Sequence, residues 1–531
     1  MVFEQCSVKK KRKIRMIAIL AATVLLLASC SKTEPSNHTE TDSTSTASTT
    51  GTEGQNAVTT LDVQTGHFYD YYWDDASERI AASITYPYMH LSEADRKTYP
   101  KLEQAVVALM QERKETAQGH YEEAMQAAKD TPVEDPDHPP FFDVTETVTV
   151  RRADSRVLSL AFDGSYYIGG THGHCYTVGA VFDTETGERL KLTDVITHEG
   201  YFFDYVEEQL KAFWDANYFY EDLNLIRFLQ ENLENVAWTL DYHGLSIYFQ
   251  PYDIAPYASS VQNITIPFAS HPELIREKYR EAPESYGIEM IAEKPFFYDV
   301  DGDGKMDSLT ICAAKGEYDN YEVQTVTLNR ETFQLDVGIY VIEPVLLHTA
   351  DGKNYLYIGQ QYPDDYWAFE AFNLSEGTVK KMGTVYSWRH QIFHDRNNLH
   401  MRQVLTDPNS FMLDTYTQLL GTAYGYDSYH VGSDGLPVQE HSWYTICFET
   451  ELALLKDITA QVVGEDGEAT GTTELKTGDK AVYYRTDGEN WADLKLSDGK
   501  IVRVYPLNED GEWTMDGERL EDVFDGVPFG E

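Results

Sequence analysis

Residues 169–196 read GGTHGHCYTVGAVFDTETGERLKLTDVI. Val178, Ala180 and Phe182 alternate along a strand and turn one face to a core. Asp183-Thr184-Glu185-Thr186-Gly187 is a turn, with Gly187 free to take positive φ. Asp194 opens a short helical segment, and a second helix is expected over Tyr201–Trp214. His172 and His174 stand two apart, so a strand points both to one face, and Cys175 follows. Zinc would need a third and a fourth ligand, and no nearby HxxxE or CxxC supplies them. A thiol nucleophile would need a base and a group to orient that base. We therefore read the stretch as structural, with Gly169 and Gly170 permitting a bulge or a close backbone approach.

The flanks extend the pattern. Pro100–Asp130 carries apolar residues at helical spacing, among them Leu102, Val106, Leu109, Met110, Tyr121 and Ala124, and Pro100 suits a first turn. The run PVEDPDHPP ends it. ETVTVRR (146–152) and RVLSLAFDG (156–164) read as strands joined by a turn. Downstream, Leu245, Ile247 and Phe249 alternate against Ser246, Tyr248 and Gln250, and a further strand covers the run QNITIP. The opening stretch, together with GLSIYFQPYDIAPYASSVQNITIP (244–267), resembles the RsiV-type domain. That domain forms the outer part of certain anti-sigma factors that sense lysozyme, and it precedes the catalytic domain of some peptidoglycan deacetylases. Gly169, Gly170 and His172 fall on its Gly-Gly-x-His strand. Tyr252, Ala255, Pro256 and Tyr257 fall on its F-x-x-Y-x-I-A-P-Y pattern. Ser260 departs from it, because the family pattern leads us to expect glycine there. The resemblance implies an α+β domain over residues 58–275.

The first thirty residues are an export signal. Lys9 to Arg15 is basic, Met16–Leu27 is apolar and too short to span a bilayer, and Leu27-Ala28-Ser29-Cys30 resembles a lipobox. This implies lipidation of Cys30 and attachment to the extracytoplasmic side of the cell membrane without a spanning helix. Residues 31–57 hold almost no apolar side chain and read as a flexible Ser/Thr-rich tether.

The 531 residues carry 42 Lys+Arg against 88 Asp+Glu, a net charge of −46. The chain's one basic segment, Lys9 to Arg15, lies in the signal, so the remainder is more acidic still. That excludes nucleic-acid binding, which needs a positive footprint, and favours cationic partners or divalent metals. Cys175, Cys312 and Cys447 are widely spaced and odd in number, so they indicate no disulfide framework and read as buried thiols.

YDVDGDGKMDSLTI (298–311) places Asp299, Asp301, Asp303 and Asp307 at positions 1, 3, 5 and 9, the Lys305 carbonyl at position 7, and Gly304 at the sharp turn. That spacing suits one structural Ca²⁺. Thr310 stands where an EF-hand has its bidentate Glu, and a strand follows. The loop therefore resembles the calcium hairpins of integrin-like blades. Residues 285–450 are otherwise aromatic strands and Gly/Asp turns, read as propeller-like or a sandwich. Residues 451–531 have short strands with turns at Gly478, Gly488 and Gly499, and resemble an SH3-like barrel module.

The expected fold class is an α+β N-terminal domain, an antiparallel sheet with helices, followed by all-β domains. The expected function is that of a lipid-anchored, extracytoplasmic binding or sensing lipoprotein. Its ligand would be a cell-wall glycan or peptide, or a cationic protein such as lysozyme, and exposed aromatics around Tyr252 and Tyr257 are the contact candidates. No catalytic and no cofactor-binding residue beyond the calcium ligands is assigned. The competing reading is a metal-dependent cell-wall polysaccharide deacetylase or hydrolase-associated protein, with His390, His394 and Asp365 as ligands. Two His at H-x-x-x-H could share a zinc only on a helix.

Overall fold

The computed structural model describes residues 57–135, 138–214, 219–292, 294–315, 321–335, 341–361, 367–389, 391–394, 399–509 and 512–528. Val58–Glu531 forms one compact unit. It opens with a hairpin that the sequence reading had not picked out, β1 (Val63–Asp74) and β2 (Arg79–Leu91). A short helix α1 (Glu93–Thr98) follows, capped by Ser92, whose hydroxyl accepts the Asp95 N–H at 3.2 Å. Then comes the long helix α2 (Pro100–Asp130). Leu102, Val106, Leu109, Met110, Ala117, Tyr121 and Ala124 form its buried stripe. Each large member stabilises the unit by about 1.5–3 kcal/mol.

The chain returns as β3 (Phe142–Ala153), β4 (Val157–Tyr167) and β5 (His174–Asp183). The sheet order is Gln391–His394, Leu399–Gln403, β1, β2, β3, β4, β5. One pair departs from the expected antiparallel pattern, because β2 and β3 run parallel. The cause is α2, a crossover that carries the chain back to the starting end of the sheet.

Next come α3 (Leu192–Val195), α4 (Glu199–Phe213) and α5 (Leu225–Asn232). They pack on a three-stranded sheet of β6 (Ala237–Leu240), β7 (Gly244–Phe249) and β8 (Gln262–Pro267). Phe202, Val206, Leu210 and Leu229 share that core with Ile247, Phe249, Ile264 and Ile266. β5 crosses β6 so closely that a Cβ on Gly179 would lie 1.9 Å from the Trp238 carbonyl oxygen, so only glycine fits. The two sheets are also joined by buried charge. Arg151 grips Asp241 with two bonds of 2.8 and 2.9 Å. Arg152, fully buried, pairs with Asp154 at 2.7 Å and donates to the Tyr279 carbonyl at 2.7 Å.

The remaining described chain is built of antiparallel sheets. Together with the helical N-terminal part, this gives the expected class, α+β followed by all-β. A four-stranded sheet beginning at Phe296 and a five-stranded sheet containing Tyr286–Glu289 share one core. Leu309, Ile311 and Val326 of the first meet Ile288, Leu346, Leu356 and Phe372 of the second, a sandwich arrangement.

The sheets also join segments far apart in sequence. Leu399–Gln403 pairs with β1 through Gln64–His67. Strand Tyr444–Leu454 pairs with both Ala423–Val431 and Lys480–Thr486. The three cysteines are not buried as expected: Cys175 and Cys447 are half-buried, and Cys312 is exposed.

Candidate functional site at the β4–β5 tip

The Gly-Gly-Thr-His-Gly stretch, residues 169–173, is the reversal of the β4–β5 hairpin, where Tyr166 pairs with His174. Gly169 and Gly170 take φ of +103° and +95°. No atom crowds a Cβ built on Gly170, and one on Gly169 meets Phe142 at an ordinary 3.7 Å. Of the bulge or close backbone approach expected, the close approach is absent, and conformation requires glycine here.

The loop between β7 and β8 folds over this tip. Gln250 fastens its base to β5: its side-chain Oε1 accepts the Thr177 N–H at 3.0 Å, and its Nε2 donates to the Thr177 carbonyl at 2.9 Å. The loop then tightens on itself. Asp253 accepts the Gln250 N–H at 2.7 Å, and Tyr252 N–H donates to the Ala255 carbonyl at 3.1 Å. Burial pushes the Asp253 carboxyl above its usual range.

Two non-glycine residues of this loop hold left-handed backbone, Tyr252 at φ +75° and Ser260 at φ +58°, ψ −162°. The Ser260 conformation is one that glycine alone adopts without strain, which accounts for the glycine expected there. The Ser260 hydroxyl lies 3.8 Å from Cys175 Sγ.

Rings line the tip in a continuous series. His120 stacks on Tyr166 at 4.0 Å, and Tyr166 on His174 at 4.7 Å. His174 meets His172 edge-on at 6.0 Å. His172 stacks on Tyr257 at 4.0 Å, and Tyr257 leans on Tyr252 at 5.8 Å. Tyr252 is 57% exposed. The Tyr257 hydroxyl donates to the Gly173 carbonyl at 2.5 Å. His172 Nδ1 lies 2.9 Å from the same carbonyl, an acceptor, so Nδ1 carries the proton. Among the described residues no third His, Cys, Asp or Glu joins the two histidines to make a metal set. The arrangement is a rigid aromatic surface with polar edges, suited to contact rather than to bond-breaking.

The acidic loop is a second candidate. It joins the strands Phe296–Tyr298 and Asp307–Lys315, a β-hairpin in which Tyr298 pairs with Asp307. Carboxylate oxygens of Asp299, Asp301 and Asp307 lie within 4.8 Å of one another. Two oxygens on one Ca²⁺ stand at most about 5 Å apart, so these three fit, and an all-oxygen set suits a hard cation. Asp303 is held differently, by the Lys305 ammonium at 2.7 Å.

Asp299 accepts backbone N–H groups from Gly302 at 2.8 Å and Gly304 at 2.9 Å. Burial, then the charges of Asp301 and Asp303, hold its carboxyl above the usual range in spite of those donors. Asn354, on the five-stranded sheet, donates to the Val300 carbonyl at 2.8 Å, so the loop is tied to both sheets of the sandwich.

His390 and Asp365 lie outside the described residues, as does Cys30. His394 closes the strand Gln391–His394, not a helix. No helix among the described residues is long and apolar enough to cross a membrane.

Helices α3–α5 packed on the β6–β8 sheet define an α+β module, and it adjoins the tip. This module is the part of the chain that a known family matches. Residues 194–269 match the DUF3298 family, described as a protein of unknown function. Two solved structures resemble the chain. One is a DUF3298 family protein from Pseudomonas aeruginosa PAO1, 17% identical with a TM-score of 0.30, the match covering 41% of this chain and 96% of that one. The other is a DUF3298 family member from Bacteroides fragilis NCTC 9343, 19% identical with a TM-score of 0.29, covering 42% of this chain and 96% of that one. No curated protein matches the chain.

Proposed function

We propose that the chain is a lipid-anchored binding or sensing lipoprotein of the extracytoplasmic surface. The ring-lined tip around Tyr252 and Tyr257 is its contact site, and its ligand is a cell-wall component or a cationic protein such as lysozyme. One observation carries this reading. Two non-glycine residues, Tyr252 and Ser260, are held at positive φ in one loop, and that loop presents an exposed ring. Strain of this kind persists where the surrounding structure overrides it, and it clusters at binding sites. The Cys30 lipobox supports the anchor, and the charge of −46 supports a basic partner. The acidic loop serves as a Ca²⁺ site that pins the sandwich.

The test is calorimetric titration of the chain with lysozyme in calcium, at two salt concentrations. Saturable binding that survives the higher salt and weakens in Tyr252→Ala supports the reading. Binding that vanishes with salt is charge attraction alone and counts against it.

A further inference from the structure

The sheet that carries the tip has two faces, and α2 covers only one of them. Lys129 sits over the Tyr72 ring at 5.2 Å, Arg113 bonds Glu146 at 2.9 Å, and His120 stacks on Tyr166. Residues of opposite parity therefore point the other way. On that outer face the register aligns one row across five strands. Tyr69 pairs with Thr85, Thr85 with Thr145, Thr145 with Ser165, and Ser165 with Cys175. Cys175 touches Ser260, so the row runs into the strained loop. The adjacent row is Tyr71, Ser83 and Asp143.

Along β1, Tyr69, Tyr71 and Trp73 alternate and are 51%, 48% and 48% exposed. Four strand spacings, about 19 Å, separate this aromatic edge from the tip. Between them the Ser83, Thr85, Thr145 and Ser165 hydroxyls make no hydrogen bond among the described residues. Neither row contains a cation, and Asp143 is the one carboxylate.

We infer that this face and the tip form one groove that holds a polysaccharide chain. The inference rests on the reading of the tip as a contact site and names the ligand class for it. Charge complementarity selects the occupant. A polyanion would find only the Lys294 ammonium, already paired with Asp163 in the next row, and would be repelled by an acidic chain. A basic protein would find a single carboxylate not already paired with a cation. A chain of sugar rings matches both parts of the surface. Its C–H faces lie on the Tyr and Trp rings, and its hydroxyls exchange hydrogen bonds with the Ser and Thr row.

The test uses the full chain, detergent-solubilised, titrated with a β-1,4-linked N-acetylglucosamine tetrasaccharide while Trp fluorescence is followed. The same samples are titrated separately with lysozyme. The expected result is saturable tetrasaccharide binding, at least tenfold weaker in Tyr71→Ala/Trp73→Ala and largely restored in Tyr71→Phe/Trp73→Phe, which keep the rings. Both positions are half exposed, so the variants should melt as the parent does. Tetrasaccharide binding that ignores the alanine pair overturns the inference. Lysozyme binding without tetrasaccharide binding overturns it too and leaves the proposed function standing. Failure of both ligands removes both.

Discussion

The ring of His172 lies against the ring of Tyr257, centroids 4.0 Å apart and 24° from parallel. It joins a residue of the β4–β5 turn to one 85 positions later. With the Tyr257–Gly173 hydrogen bond, it locks the strained loop onto the hairpin.

Removing only the hydroxyl tests that lock. Tyr257→Phe keeps the stacking and loses the bond to Gly173. Stability should fall by about 0.5–1.5 kcal/mol, the usual net worth of one hydrogen bond. Amide exchange should speed up across residues 169–175. Unchanged exchange there would mean that the loop does not hold the turn.

Ser260 carries backbone strain, and glycine should relieve it. Such a conformation costs of order 1–3 kcal/mol, partly offset by the extra freedom glycine gives the unfolded chain. Ser260→Gly should therefore melt higher, by roughly 1 kcal/mol of stability. If the strain shapes the contact surface, lysozyme affinity falls in the same variant, which calorimetry reads directly.

Calcium should raise the melting temperature. A ligand at a hundred times its Kd stabilises by about 2.7 kcal/mol. Asp299→Asn and Asp307→Asn should abolish the shift, while Asp303→Asn, whose carboxylate is engaged by Lys305, should reduce it less. The pH dependence has a defined sign. The Asp299 carboxyl is raised, first by burial and then by its acidic neighbours. Without calcium its contribution to stability is full below the ordinary value near 3.8 and is lost as pH rises through the folded value. Calcium competes with that proton, so the calcium-induced rise should shrink as pH falls through the same window. A melting point indifferent to calcium at neutral pH would rule the loop out as a calcium site.

Arg113 and Glu146 form a buried ion pair between α2 and β3, and the Tyr176 hydroxyl donates to the same carboxylate at 2.7 Å. Losing one partner leaves the other charge buried. Glu146→Gln or Arg113→Met should each cost about 3–5 kcal/mol, and the double variant less than their sum. Additive losses in denaturant unfolding would show that the two side chains act independently.

Local rules made much of this protein legible. The 3.6-residue spacing of Leu102, Val106 and Leu109 marks α2, because a helix repeats its buried face at that period. Period-two runs mark β3 to β5 and β7. The Asp spacing places three carboxylates at one point, because a loop of a few residues cannot scatter them. The glycine that the family resemblance, not a local rule, leads one to expect at position 260 corresponds to left-handed backbone there.

Tertiary structure decided the rest. The alternation of Tyr69, Tyr71 and Trp73 was available as a strand signal. That these rings share a face with Ser165 and Cys175 depends on register across five strands, one pair parallel because of a crossover helix. Hydrogen bonds between strands are made by backbone groups that every residue carries, so sequence shows which segments are strands but not which strands meet. Residues 63–74 and 399–403 share a sheet across more than three hundred positions only because packing brought them together.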